Sequence, residues 1–258
     1  MRVFVTCVIA IGMMACWSVA AAADDGFVAI FNGKDLEGWD GNPNFWSVKD
    51  GAIHGETTKE KPTKGNTFCI WRGGTLEDFE LELDFRIMNG NSGVQYRSLD
   101  LGNWVVSGYQ AEVCNQKGKV GFLYHEKGRG YLCNVGEKVV LEKPDPTQKP
   151  PKGKRRRTPA NRKVVGKLGD RMKLTKDYKP QDWNHYRIVA KGNHLVHYLN
   201  GVQTIDLIDN DLDDPNAQKP NQRKGRLKGI LALQIHAGPP MIVEFRNIRL
   251  KALKAEGK

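Results

Sequence analysis

The sequence has no C-x-x-C pair, no His/Cys/Asp/Glu grouping at firm metal-ligand spacing, no long apolar stripe of helical period and no fixed-period repeat. The first two absences argue against a structural zinc site. The third argues against long amphipathic helices, and the fourth against a solenoid. Beyond the N-terminal segment, no apolar run approaches the roughly 18 residues that span a bilayer. Cysteine is scarce too. Only Cys69, Cys114 and Cys133 follow residue 23, and an odd number leaves at least one thiol unpaired. A Cys114–Cys133 disulfide and three small apolar core fillers are both open readings.

What is present begins with a targeting signature. Arg2 precedes the apolar run Val3 to Ala15, and Ala20 to Ala23 precede Asp24-Asp25. That order predicts a secretory signal over residues 1–23 and export to the periplasm or exterior. Met13-Met14-Ala15-Cys16 fits a lipidation site poorly, so anchoring through Cys16 is the less favoured reading.

The formal charge of +11 suggests a nucleic-acid partner until it is located. Residues 149–179 hold thirteen Lys and Arg against Asp170 and Asp177, so this stretch alone carries +11 and the rest is close to neutral. Its Pro, Gly and charge content predicts a flexible basic insertion at about 145–180. Export makes nucleic acid a poor partner. An anionic envelope or polysaccharide contact suits the charge better.

Elsewhere the signals are short alternating runs, such as "FELELDFRI", "SGVQYRS", "YQAEVCN" and "GILALQIH", punctuated by Gly, Asn, Asp and Pro. Asn200-Gly201 between two such runs is a strong hairpin signal. The pattern predicts one all-β domain over 24–253, followed by a short tail at 254–258. About a dozen strands would stack as a sandwich of two antiparallel sheets.

Successive strand residues point to opposite faces. Leu231, Leu233 and Ile235 therefore oppose Gln234 and His236. Val94 and Tyr96 oppose Gln95 and Arg97, while Tyr109, Ala111 and Val113 oppose Gln110 and Glu112. Three strands thus carry directed hydrogen-bonding groups behind an apolar face, which suits hydroxyl-rich ligands. Tyr124, Trp71 and Trp104 are candidates to stack on sugar rings. His54 and Glu56 are placed near the cleft rim, and His194 and His197 at the surface.

The ordered series "IFNGKDLEGWDG", "FWSVKDGAIHGE", "DFELELDFRI", "GNSGVQYRS", "GYQAEV", "DWNHYRIVAKGNHLVHYLNGV" and "LALQIHAGPPMIVEFRNIRL" resembles the 3-keto-disaccharide hydrolase domain family. The resemblance implies a concanavalin-like jelly-roll sandwich whose concave sheet holds a carbohydrate site, bacterial export and action on oxidised sugars. Many members read Glu-x-Gln where this chain has Gln110-Ala111-Glu112, and the basic insertion is not a general family feature.

A ketone at C3 acidifies the C2 hydrogen, so a base, an oxyanion stabiliser and positioning groups suffice for elimination. Glu112 or His236 is the expected base, and Arg97, or a divalent ion held by Glu112 and His236, the stabiliser. Gln95, Gln110 and Gln234 are expected to hold hydroxyls, and Tyr124 to stack or donate a proton. Asn91, Ser92 and Gly93 read as a turn feeding the Gln95 strand. Two alternatives stay open: a non-catalytic carbohydrate-binding domain, and a laminarinase-like glycosidase using Glu80 and Asp84, which alternate on one strand face.

Overall fold

The computed structural model describes residues 25–144 and 158–254. The expected signal segment, residues 145–157 of the basic segment and the end of the tail lie outside the described residues. In chain order the strands are β1 (Val28–Ala29), β2 (Trp39–Asp40), β3 (Trp46–Lys49), β4 (Ala52–Thr57), β5 (Thr67–Trp71), β6 (Phe79–Ile87), β7 (Asn91–Asp100), β8 (Val106–Cys114) and β9 (Leu123–Glu126). Then follow β10 (Gly130–Cys133), β11 (Glu137–Leu141), β12 (Arg162–Lys167), the short helix α1 (Arg171–Leu174), β13 (Asn184–Lys191), β14 (His194–Leu199), β15 (Val202–Asp209), β16 (Ile230–Ile235) and β17 (Met241–Ala252).

They form a two-sheet jelly-roll sandwich. The ten-stranded sheet runs β12-β11-β15-β14-β13-β6-β17-β4-β3, with β1 on β17, and the seven-stranded sheet runs β10-β9-β8-β7-β16-β5-β2. The pairing is antiparallel except between β11 and β15, which run parallel. Alternation explains the layering. Leu81, Leu83 and Phe85 of β6 face Val94, Tyr96, Ala111, Val113, Leu231 and Leu233 across one core. Each large apolar side chain so buried contributes about 1.5–3 kcal/mol. Asn200 and Gly201 both have positive φ and close the β14–β15 hairpin with the backbone a two-residue I′ turn requires.

The alternation breaks in β7. Its register against β8 shifts between Tyr96 and Leu99, and Arg97 adopts φ +46°, which is uncommon without glycine. The extra residue bends the strand. Two glycines make room: a Cβ at Gly108 would lie 2.2 Å from Ser98 Oγ, and one at Gly229 would lie 2.4 Å from the Arg97 carbonyl carbon. Beyond the bend the hairpin folds over the outer face of the smaller sheet. Val106 packs on Phe68, Ile70 and Ala232, and the Phe68 N–H donates to the Trp104 carbonyl at 3.0 Å.

Several expectations are corrected. From residue 158 the basic segment is built into the fold: β12 is an edge strand on β11, and Tyr178 Oη donates to the Cys114 carbonyl at 3.0 Å. All three cysteines are free and buried. His194 is exposed, but His197 is fully buried, with Nε2 2.9 Å from Tyr96 Oη. Burial drives its imidazole pKa down to about 3.

Candidate functional site

The outer face of the smaller sheet carries an amide chain that ends on one carboxylate. Gln95 Nε2 donates to Gln110 Oε1, and Gln234 Nε2 donates to the same oxygen at 3.0 Å. Gln110 Nε2 in turn donates to Glu112 Oε2 at 2.9 Å, and Asn91 Nδ2 donates to Glu112 Oε1. Register explains the convergence: Gln95 lies opposite Gln110 and Gly93 opposite Glu112. Gly93 is needed because Gln110 lies across it; a Cβ there would meet Gln110 Cγ at 2.4 Å.

Glu112 is only 3% exposed. Burial pushes its pKa up to about 7, against the pull of the Gln110 and Asn91 hydrogen bonds. Two hollows meet at this carboxyl. One, of about 450 Å³, is lined by Asn66, Gln110, Tyr124, Glu126, Lys127 and His236 among others. The other, of about 570 Å³, is lined by Asn89, Asn115, Gln116 and Lys119 among others. Asn91, Glu112, Phe122 and Tyr131 belong to both. The rings of Phe122, Tyr124 and Tyr131 stand within 5.2–6.5 Å of one another and form an aromatic wall of the kind that stacks on a sugar face.

Glu126 is a second carboxyl in the smaller hollow. It is 8% exposed, accepts from Asn66 Nδ2 at 3.2 Å, and burial raises its pKa. His236 is exposed on the rim. Its Nδ1 lies 2.6 Å from the Ala237 carbonyl. A carbonyl only accepts, so Nδ1 carries the proton and Nε2 is left for a ligand in the neutral ring.

The structure therefore brings Glu112, Gln110, Tyr124 and His236 together and separates the rest. Gln95 and Gln234 are fully buried beneath Gln110 and position it, rather than lining either hollow. Arg97 is not in the site. It is 1% exposed and donates to the carbonyls of Glu77 and Gly192 and to Asp78 Oδ1 at 2.6–2.9 Å. The β7 bend turns its side chain towards the larger sheet. Trp71 lines a separate hollow with Phe79 and Leu250, and Trp104 Nε1 donates to Asp40 at 2.6 Å.

His54 and Glu56 lie on β4 of the other sheet, 3.1 Å apart, away from these hollows. Glu80, Glu82 and Asp84 face outward from that same sheet and pair with Arg187, Arg249 and His185. The expected glycosidase pair is thus a neutralised cross-strand ladder and lines neither hollow. No group of three or more His, Cys, Asp or Glu among the described residues is arranged to hold a metal ion, so a Glu112–His236 metal site lacks a third donor of these types.

Sequence reasoning missed Asn91 as a ligand of Glu112, and Glu126, Asn66 and Tyr131 altogether. Glu126 had a signal: in "GFLYHE" it alternates with Tyr124.

Residues 26–251 match the model of the 3-keto-alpha-glucoside-1,2-lyase-like domain. The chain belongs to this family. It is a carbohydrate-active family, in agreement with the resemblance read from the motifs. A 3-keto-disaccharide hydrolase of Bacteroides thetaiotaomicron is 33% identical over 84 residues. That alignment covers 28% of this chain and 27% of the relative. A candidate glycosyl hydrolase of Parabacteroides distasonis superimposes with TM-score 0.53 at 22% identity, covering 88% of this chain and 99% of that one. A second from the same organism gives TM-score 0.51 at 18% identity, with 89% and 94% covered. At these identities the two structures share the lyase-like family's fold. No helix among the described residues is long and apolar enough to cross a membrane.

Proposed function

We propose that the protein cleaves 3-keto-glycosides by C2 proton abstraction and elimination, with Glu112 as the base. One observation carries the reading: a buried carboxyl with pKa about 7, oriented by Asn91 and Gln110 where two sugar-sized hollows meet. A base poised near neutrality has both the needed ionisation and the needed basicity. Family membership and the curated hydrolase relative support the substrate class.

In the proposed reaction the Glu112 carboxylate takes the C2 proton, and the C2–H electrons move into an enolate on the C3 oxygen. Lys127 is the cationic group lining the smaller hollow for that oxygen, in place of Arg97. The enolate re-forms the ketone and expels the C1 substituent, leaving a C1–C2 double bond. Glu126, whose proton affinity burial raises, or Tyr124 gives a proton to the departing oxygen. Water then adds at C1, its released proton restoring the acid that protonated the leaving oxygen, while Glu112 gives its proton back to C2, so the sum is hydrolysis. Export of the mature chain through the 1–23 segment belongs to the same proposal and is checked by sequencing the N-terminus of protein recovered outside the cytoplasm.

The test is incubation with a 3-keto-disaccharide, following released monosaccharide and the ultraviolet absorbance of the unsaturated intermediate. Glu112→Gln should lose turnover and keep binding. Undiminished turnover in that variant would remove Glu112 from the mechanism. Sugar binding without turnover in the native protein would make this a carbohydrate-binding domain.

A further inference from the structure

The larger hollow has a wall of a different character. Lys119 lines it, beside Glu112. Lys117 and Lys119 flank Gly118, whose N–H donates to Thr175 Oγ1 at 2.9 Å. Lys117 Nζ donates to the Lys176 carbonyl at 3.0 Å. A Cβ on Gly118 would lie 2.7 Å from Met172 Sδ and 3.7 Å from Arg171 Cγ and Cδ. The described part of the basic segment, from residue 158, is thus docked directly on the turn that walls the hollow, with the Arg171 stem against Gly118.

Lys117, Lys119 and Arg171 are all exposed, and none forms an ion pair among the described residues, whereas Arg86, Arg187 and Arg249 on the opposite sheet are all paired with carboxylates. Of the residues lining this hollow, Glu112 is the only carboxylate, and its raised pKa leaves it partly neutral near pH 7. Lys119 lines the hollow, while Lys117 and Arg171 lie on and against the adjoining turn; cations grouped beside a hollow concentrate anions there.

We infer that the larger hollow takes an anionic saccharide unit, a uronate or a sulfated sugar, whose charge is met by Lys119, with Lys117 and Arg171 on the adjoining turn adding to the local field. This rests on the keto-glycoside reading for the location of the substrate, yet it can be tested without turnover. The full chain is titrated calorimetrically with an oligogalacturonate, a sulfated oligosaccharide and a neutral cello-oligosaccharide of equal length. One or both anionic ligands should bind about tenfold tighter than the neutral one, the scale of three exposed charge contacts. The stronger of the two identifies carboxylate or sulfate. That preference should disappear in Lys117→Gln/Lys119→Gln/Arg171→Gln and at about 0.5 M salt, where screening is short-ranged. Lys119→Glu should reverse it, and thermal melts check that each variant folds.

Equal affinity for charged and neutral ligands overturns the inference, as does a preference that survives the triple substitution. Binding of phosphatidylglycerol vesicles through the same cations, without saccharide discrimination, overturns it in favour of a membrane contact. Turnover of a neutral 3-keto-disaccharide without anionic preference sinks this inference alone. Anionic preference without turnover sinks the enzymatic reading alone.

Discussion

The outer faces of the two sheets use similar residues to opposite ends. On the larger sheet, Glu80, Glu82, Asp84 and Glu244 meet Arg187, Arg249, His185 and Arg86 in cross-strand pairs, and Arg246 lies 3.9 Å over the Trp183 ring. The arginines there cancel carboxylate charge in place, even at Glu244, which is buried. On the smaller sheet, Glu112 is buried and held by neutral amides with no ion-pair partner, so burial outweighs the pull of those amides and of nearby Lys119 and its proton affinity rises. A carboxylate paired with arginine is a poor base. A carboxylate held by amides in a dry pocket is a useful one.

The sharpest break of this contrast is a matched pair of variants. Glu112→Gln should lower kcat on a 3-keto-disaccharide by about a hundredfold to ten-thousandfold. Glu80→Gln should leave it unchanged, as steady-state kinetics will show. Next in size is Arg97. Arg97→Met leaves the Glu77 and Gly192 carbonyls without their side-chain donor and Asp78 with only the Gly192 N–H, so denaturant unfolding should report a loss of about 3–5 kcal/mol. Lysine should not restore it, because one ammonium cannot replace the planar fork.

The pH dependence separates the faces further. The Glu112 pKa is raised in the folded state, so the folded protein holds a proton that the unfolded chain has released. Its contribution to stability is fully present below the ordinary carboxylate range and is lost as pH rises through about 7. Glu112→Gln should therefore melt higher than wild type at pH 8, with the difference vanishing near pH 4. Turnover runs the other way and should rise through pH 7. His197 has the opposite sign. Its pKa is depressed to about 3, so its stabilising share is present above the ordinary imidazole range and is lost as pH falls towards 3. His197→Phe should flatten acid unfolding monitored by circular dichroism. The smallest effect expected in the site is from Tyr131→Ala, about 0.5–1.5 kcal/mol of sugar affinity by titration calorimetry.

Much of the architecture was legible. Alternation in "FELELDF", "YQAEV" and "LALQI" assigned inner and outer faces that the sandwich keeps, and it put Gln110 and Glu112 on the site side. It failed at Arg97 because an extra residue at the bend reverses the count, and no composition signal marks a bulge. His197 was misplaced for a different reason. It alternates with the inward Leu195 and Leu199, so the pattern held the answer, but a histidine beside a turn reads as surface. The Glu80 ladder was ambiguous because its arginine partners come from β13 and β17, far along the chain, and only register brings them together. The proton affinity of Glu112 was not legible at all. It depends on which groups cover the carboxyl, and Asn91, read as part of a turn, is one of them.

The bend in β7 anchors its own hairpin at the back of the smaller sheet. Arg97 fastens the curled hairpin to the Gly192 carbonyl and to Asp78, neither of which lines the two hollows that meet at Glu112. Residues outside both hollows thereby hold the hairpin that covers Phe68, Ile70 and Ala232. Substitutions in the β13–β14 turn should disturb that cover while leaving the lining of the two hollows unchanged.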